Sequence, residues 1–435
     1  RRILLVGLVV FGAASLAAGL VDTALALTAC RGLMGIGGAF IMPSTLSILV
    51  QVFREPGERA RAIGIWAAVA GVGVALGPIL GGLLLEHFSW QSVFWVNPPL
   101  VVLVLVATLS LVPESRDESR PMLDMRGAAL SSLGLIALVV TIIELPEQGI
   151  SAVTLTTTLL AIVGLVGFVW WEGRAARPLL PMSLFRQADF TVPIVMVGLV
   201  YFALMGAMFL LPQFLQLVQA MGPLQSGLAM LPAAGGLFVA SLASPAIAAR
   251  IGARRIVVIG LGLVTLGLAL TSGFRTDSPY AYIGLSIGLV GIGMGLALPQ
   301  ATNAVLATVP RERSGMGSAV NDAVGELGGS FGVAILGALM SVFYRARIEE
   351  AIAAIGDRVR EVPVTVIEAV RESLASATLI ENQLAEPDAG VVREVTSGAF
   401  VEGMTWALLV GAIIVAVGLV LAWRKFPVRL ERVQE

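Results

Sequence analysis

Asp322 and Glu326 stand four residues apart in a stretch, 315–343, that is otherwise almost wholly apolar or small. On a helix that spacing puts both side chains on one face. An ionisable group kept at hydrocarbon depth is costly unless it serves ion binding, proton relay or transport. Two carboxylates crowded in low dielectric do not both stay charged cheaply, so one of them can load and release a proton. Ionised, the same pair offers a site to an organic cation. The plainer alternative is that Asp322, close to one end of its span, is simply solvated. A third charge, Arg31, lies inside the span 25–52; it needs a carboxylate, a cavity, or a membrane surface to which its stem can reach.

Weaker polar positions accompany these charges. Gln213, Gln216 and Gln219 bracket the end of one apolar run, and Gln300 and Asn303 share one side of another; they could line a substrate path or bond helix to helix, the commoner use. Trp66, Tyr201, Phe202, Phe209 and Phe214 could stack on an aromatic cation or serve as packing. Enzyme chemistry finds no footing. The glycine clusters Gly71-x-Gly73 and Gly291-x-Gly293-x-Gly295 lie inside spans, with no preceding strand and no following Lys-Ser/Thr, so they are not phosphate cradles. Cys30 and His87 are the only residues of their kinds, which rules out a thiolate cage built from this chain and leaves no expected metal or cofactor. With no nucleotide site, work across a membrane must draw on an ion gradient. A net charge of −1 lacks the basic excess of a nucleic-acid binder.

The elements that must position these residues are membrane helices. The chain is 57% hydrophobic and 13% charged, with mean hydropathy +0.91, far from the roughly one quarter charged residues of soluble domains. Runs of about 20 apolar residues fall near 3–21, 25–52, 62–85, 93–112, 127–145, 152–171, 191–211, 224–248, 255–273, 280–306, 315–343 and 400–422. They are continuously apolar rather than alternating, which predicts an all-α polytopic membrane protein and not a barrel. Arg1, Arg2, Arg54, Arg59, Arg61, Arg116, Arg120, Arg126, Arg174, Arg177, Arg186, Arg250, Arg254, Arg255, Arg311, Arg313, Arg424, Lys425, Arg429 and Arg432 all fall on one side, which the positive-inside rule makes cytoplasmic in a cell membrane. The segment 344–399, charged and broken by Pro363 and Pro387, reads as an amphipathic helical excursion on the outer face, either an interfacial cap or a gate of the outer mouth.

An internal repeat follows, as transporter folds often have. Gly32-Leu33-Met34-Gly35-Ile36-Gly37 returns as Gly288-Leu289-Val290-Gly291-Ile292-Gly293, Pro43 answers Pro299, and Arg1-Arg2-Ile3 answers Arg254-Arg255-Ile256. Two spans precede Arg254 in the second half and none precedes Arg1, so the register predicts two further helices ahead of Arg1. The organisation expected is an N-terminal bundle at 1–112, a linker with two inserted spans at 113–190, a C-terminal bundle at 191–343, the excursion at 344–399, and a last span with its tail at 400–435.

Across nearly the whole chain these features resemble the fourteen-helix drug:proton antiporters of the major facilitator superfamily. Gly73-Val74-Ala75-Leu76-Gly77-Pro78-Ile79-Leu80-Gly81-Gly82 is similar to that family's antiporter motif GxxxGPxxGG, and Leu27 to Gly37 to its LxxxRxxQGxG motif, with Met34 in place of Gln. Ser89-Trp90-Gln91-Ser92-Val93-Phe94-Trp95-Val96-Asn97-Pro98 resembles its W-R-x-x-F-x-x-N-x-P turn, with Gln91 in place of Arg. The stretch Ser314 to Gly329 is similar to its penultimate-helix signature, with Gly325 where many relatives carry Arg. The resemblance implies two six-helix repeats with two inserted helices, a monomer, and alternating access. It implies proton coupling through Asp322, Glu326 and Arg31. Substrate contacts are expected from Asp322, Glu326, Gln213, Gln216, Asn303, Tyr201 and Phe209, and a hinge from Gly73, Gly77, Pro78, Gly81 and Gly82. The activity implied is export of amphipathic, cationic drugs in exchange for protons; the alternatives are export of a specific self-made metabolite or antibiotic, and a membrane sensor that transports nothing.

Overall fold

The computed structural model describes residues 1–53, 55–114, 124–175, 182–310, 314–355, 364–381 and 388–428. Arg54, Arg116, Arg120, Arg177, Arg311, Arg313, Pro363, Pro387, Arg429 and Arg432 lie outside the described residues. Every regular element among the described residues is helical. The chain opens with α1 (Arg2–Ala18), α2 (Ala24–Val52) and α3 (Pro56–His87); a short α4 (Ser92–Trp95) then leads into α5 (Asn97–Leu111). α6 (Met125–Gln148) and α7 (Ala152–Glu172) form a hairpin. Next come α8 (Ala188–Gln213), α9 (Pro223–Ala229) running on into α10 (Leu231–Ile251), α11 (Ala253–Leu270), α12 (Tyr280–Ala307) and α13 (Ser314–Ile355). Two short helices, α14 (Val364–Glu372) and α15 (Leu374–Glu381), precede α16 (Asp388–Lys425). Among the described residues eleven helical segments are long and apolar enough to cross a membrane, with α1 a shorter apolar helix, so each expected span has its helix and the protein is a multi-pass membrane protein.

Helix ends depart from span ends in an instructive way. α13 runs past 343 to Ile355, and α16 begins at Asp388 rather than near 400. At 42 residues, α13 is about 63 Å long, twice the roughly 30 Å hydrocarbon thickness. Hydropathy marks where lipid ends, whereas a helix in water continues as long as its residues favour it. The extension of α13 is fastened to α14 and α16, and that of α16 to α15. Tyr344 Oη donates to the Val370 carbonyl at 2.8 Å, Arg371 pairs with Glu349 at 2.8 Å, Arg393 Nε donates to Glu381 at 2.6 Å, and Arg347 pairs with Glu402 at 3.3 Å.

Packing falls into two groups of helices. One continuous core joins α8 and α10 to α13 with α16, and takes in Ile348, Val366, Val370 and Leu374 of the projecting segment. The earlier helices share a smaller core of Leu4, Leu8 and Val101. The groups meet where α3 lies along α9, α10 and α12 and where α2 lies along α13. Because the spans run alternately up and down, the arginine-rich ends gather at one face of the bundle, hereafter the basic end.

Asp124 starts α6 there. Its carboxylate accepts from the backbone N–H groups of Gly127 and Arg126 and, at 2.7 Å, from Trp171 Nε1–H. The Gly127 N–H first, then the indole and Arg126, hold it below the ordinary carboxylate range. A depressed carboxylate stabilises the fold above its unfolded-state value and loses that contribution as pH falls through the folded value. Asp124→Ala is therefore expected to lower the thermal midpoint clearly at pH 7 and progressively less in strong acid. A difference independent of pH would mean that the cap acts by shape alone.

Candidate functional site

Glycines draw α8 and α13 together. Gly328 abuts the backbone of Gly198 and Gly332 that of Phe202, so closely that no Cβ fits at either glycine; small residues are what let membrane helices approach in this way. Asp322 and Glu326 lie along the same seam. Between them sits Gly325, and a Cβ there would stand 3.1 Å from Cδ2 and Cε2 of Tyr201. The tyrosine ring thus occupies the space beside Gly325, and the charges of both carboxylates act on its phenol.

The two carboxylates differ in setting. Asp322 is half-buried: Oδ1 accepts from Asn321 Nδ2 at 3.2 Å, while Oδ2 is buried without a partner. Glu326 is exposed, on a stripe of α13 that also exposes Gly315, Ala319, Ala323 and Ser330. Lipid would favour large apolar side chains on such a stripe; small and polar ones suit a water-lined interior. Among the described residues neither carboxylate has a cationic partner. The arrangement can hold a proton at Asp322 and present negative charge at Glu326 to a molecule that enters between the helix groups.

The structure brings Tyr201, Asp322 and Glu326 together and distributes the remaining expected residues elsewhere. Phe209 is eight residues further along α8, about 12 Å, partly exposed beside Gly337. Gln213 Nε2 donates to the Phe209 carbonyl of its own helix at 2.7 Å, and Gln216 Nε2 reaches Ser226 Oγ at 3.5 Å. Gln213 immediately precedes a single π turn, Phe214–Val218, at the far end of α8, and Gln216 lies within it. Arg31 is exposed on α2. Gln51 and Ser314, bonded at 3.0 Å, set a common level at the basic end. Counted from that level, Arg31 lies twenty residues along α2 and Asp322 eight along α13, so about 18 Å separates them along the helix axes.

The expected hinge divides into two faces. Gly82 packs on the start of α9, where a Cβ would stand 2.7 Å from the Pro223 carbonyl oxygen; in return a Cβ on Gly227 would stand 2.6 Å from that of Pro78. Gly73, Gly77 and Gly81 look the other way, with nothing within 4 Å of a Cβ. Gly82→Ala is accordingly expected to cut transport about tenfold or more, with Gly81→Ala within about twofold of the parent, because only the former forces two membrane helices apart. Equal effects in a flux assay would contradict the assignment of the tight face.

Asn303 is buried and bonded across the two helix groups: Arg59 Nε, itself 5% exposed, donates to Asn303 Oδ1 at 3.3 Å. Beside this bond Leu46, Val50, Ile63 and Leu306 form a buried cluster. Together with Gln51–Ser314, these contacts close the basic end between α2–α3 and α12–α13. Arg59 was legible in the sequence only as one loop cation among many; its place one turn inside α3, after Pro56 at N1, was the available signal. Between α3, α8, α10 and α12 there is an apolar cavity lined by Val74, Met208, Met230 and Met294 among others, of about 20 Å³, room for one water and none for a drug-sized molecule.

Residues 1–333 match the family model described as the Major Facilitator Superfamily. The chain is 34% identical over 431 residues to the multidrug resistance protein Stp of Mycobacterium tuberculosis, an alignment covering 98% of this chain and 80% of that protein. It is 32% identical over 434 residues to the tetracenomycin C resistance and export protein of Streptomyces glaucescens, covering 98% and 79%. Among solved structures it is similar in fold to the human organic anion transporter MFSD10, with a TM-score of 0.59 over 97% of this chain and 76% of that one at 14% identity.

Proposed function

Since the chain belongs to the Major Facilitator Superfamily, we propose that it is a proton-coupled antiporter that exports amphipathic, cationic drugs or biocides by alternating access. The observation that carries this reading is the pairing of half-buried Asp322 with Glu326, which stands on the small-residue stripe of α13, beside Tyr201. In this account the basic end faces the cytoplasm of a cell membrane. Asp322 takes up a proton from outside. Glu326 and Tyr201 receive the cationic, aromatic part of the substrate, with Phe209 further along the same path. Arg31, nearer the outer surface, biases proton entry by its charge. The helix groups rock against one another along the tight α3–α9 contact at Gly82 and Pro78, with Gly73, Gly77 and Gly81 leaving the opposite face of α3 open to close approach. The protein works as a monomer, with no protein partner, and α14 and α15, with the adjoining ends of α13 and α16, ride on the C-terminal bundle as an outer cap.

The relative from Mycobacterium tuberculosis, named for multidrug resistance, supports the broad drug-export reading. A second reading, export of a specific self-made antibiotic or metabolite, is favoured by the similarity to the tetracenomycin C exporter. The test is ethidium movement in inverted vesicles energised by a pH gradient, with Glu326→Gln alongside. Gradient-dependent uptake that falls about tenfold in Glu326→Gln is the expected result and would exclude a non-transporting sensor. Uptake of a neutral antibiotic but not of ethidium would favour the second reading.

A further inference from the structure

Among the described residues, buried side-chain atoms without a hydrogen-bond partner are few, and Thr302 Oγ1, Ser318 Oγ, Asn321 Oδ1 and Asp322 Oδ2 are among them. These four lie on facing stretches of α12 and α13. A Cβ on Gly317 would stand 3.2 Å from Val309 Cγ2 and 3.5 Å from Leu306 Cδ2, and Val305 and Val309 pack with Val320. α12 and α13 run in opposite directions. Thr302, one turn before Val305 and Leu306, therefore stands level with the turn of α13 after Gly317, which carries Ser318, Asn321 and Asp322. Thr302 and Ser318 are 0% exposed and Asn321 1%. Buried polar atoms of this kind are satisfied by ordered water, which needs at least two polar partners, and two hydroxyls, an amide oxygen and a carboxylate oxygen supply them.

We propose that Thr302, Ser318 and Asn321 hold water against Asp322 Oδ2 and form the relay through which Asp322 gives up its proton toward the basic end. The proposal rests on the proton-coupled reading above. In the step, the Oδ2–H bond breaks and the proton joins the water oxygen. One of the water's own protons moves on to Ser318 Oγ and thence toward Ser314, whose Oγ accepts from Gln51. Asp322 is left as the carboxylate, its Oδ1 still accepting from Asn321. The titratable groups that face it are Glu326 on its own helix and Tyr201 on α8. Thr302 and Asn321 are thus positioning residues for the water, while Ser318 passes the proton on, and all three act on substrate movement only through Asp322.

A structural role and a relay role separate in proteoliposomes, because exchange of labelled for unlabelled ethidium moves no net proton whereas gradient-driven uptake does. Thr302→Val and Ser318→Ala are expected to lower gradient-driven uptake about tenfold and leave exchange within about twofold, with Thr302→Ser and Ser318→Thr restoring coupled uptake, as loss of a proton-transfer element predicts. Gradient-driven uptake at the parent level in both removals, or a parallel fall of uptake and exchange that the hydroxyl-retaining variants share, would overturn the relay. Exchange without gradient-driven uptake in the unsubstituted protein would instead overturn the proton-coupled reading itself.

Discussion

Asp322→Asn is expected to reduce gradient-driven efflux on the order of 100-fold, the scale on which a positioned proton donor acts, while substrate exchange persists. The amide is nearly the same shape as the carboxylic acid, and its oxygen can still accept from Asn321 Nδ2, so the α8–α13 seam with its close glycine contacts at Gly328 and Gly332 keeps its packing. What the amide lacks is a proton that can leave. Because the buried Oδ2 has no partner among the described residues, the substitution breaks no existing bond, and failure to insert or fold is not the expected cause of loss. Glu326→Gln should behave differently: exposed on the stripe, Glu326 acts on cation affinity, so its loss raises the substrate concentration needed and spares coupling. Efflux and exchange are measured on the same vesicles, and equal behaviour of the two variants would contradict the division of labour between them.

The second large effect is expected at the closed basic end. Arg59→Leu leaves Asn303 Oδ1 buried without its donor, a penalty of about 1–3 kcal/mol borne only while the basic end is shut, since water satisfies Asn303 once the helix groups part. A coupling of that size shifts populations about 5- to 150-fold, toward the form open at the basic end. With Cys30 replaced by Ser, a disulfide between Gln51→Cys and Ser314→Cys reads the closed form directly, because the parent side chains are bonded at 3.0 Å. The expected result is slower cross-linking in the Arg59→Leu background. Cross-linking at the parent rate would mean that the buried Leu46, Val50, Ile63 and Leu306 cluster holds the gate without the polar bond.

Hydropathy was enough to find every membrane helix, because burying an unpaired backbone group in lipid leaves the chain no other option. It could not find where α13 ends or α16 begins, since Arg345, Arg347, Glu349 and Glu350 on the one and Arg393 and Glu394 on the other are poor lipid residues and acceptable helix residues in water. The carboxylate pair was legible from spacing alone, as was the family, from the antiporter motif on α3. The partition of that motif was not: adjacent glycines 81 and 82 read alike in sequence, and only the position of α9 makes one a tight contact and the other open. Asn303 likewise read as a pocket-lining candidate until Arg59, 244 positions away in the chain, was found against it. Long-range partners of polar residues carry no local periodicity, which is why Thr302 and Ser318 passed unnoticed inside an apolar run although Ser314, Ser318 and Asp322 recur at i, i+4.

The central claim, that drug leaves as protons enter through Asp322, is tested most directly by recording internal pH in proteoliposomes with a trapped fluorescent indicator as ethidium is added outside. Ethidium-evoked proton movement in the parent, opposite in direction to the drug and absent in Asp322→Asn, is the result predicted. Ethidium crossing with no accompanying proton movement, or proton movement undiminished in Asp322→Asn, would contradict it.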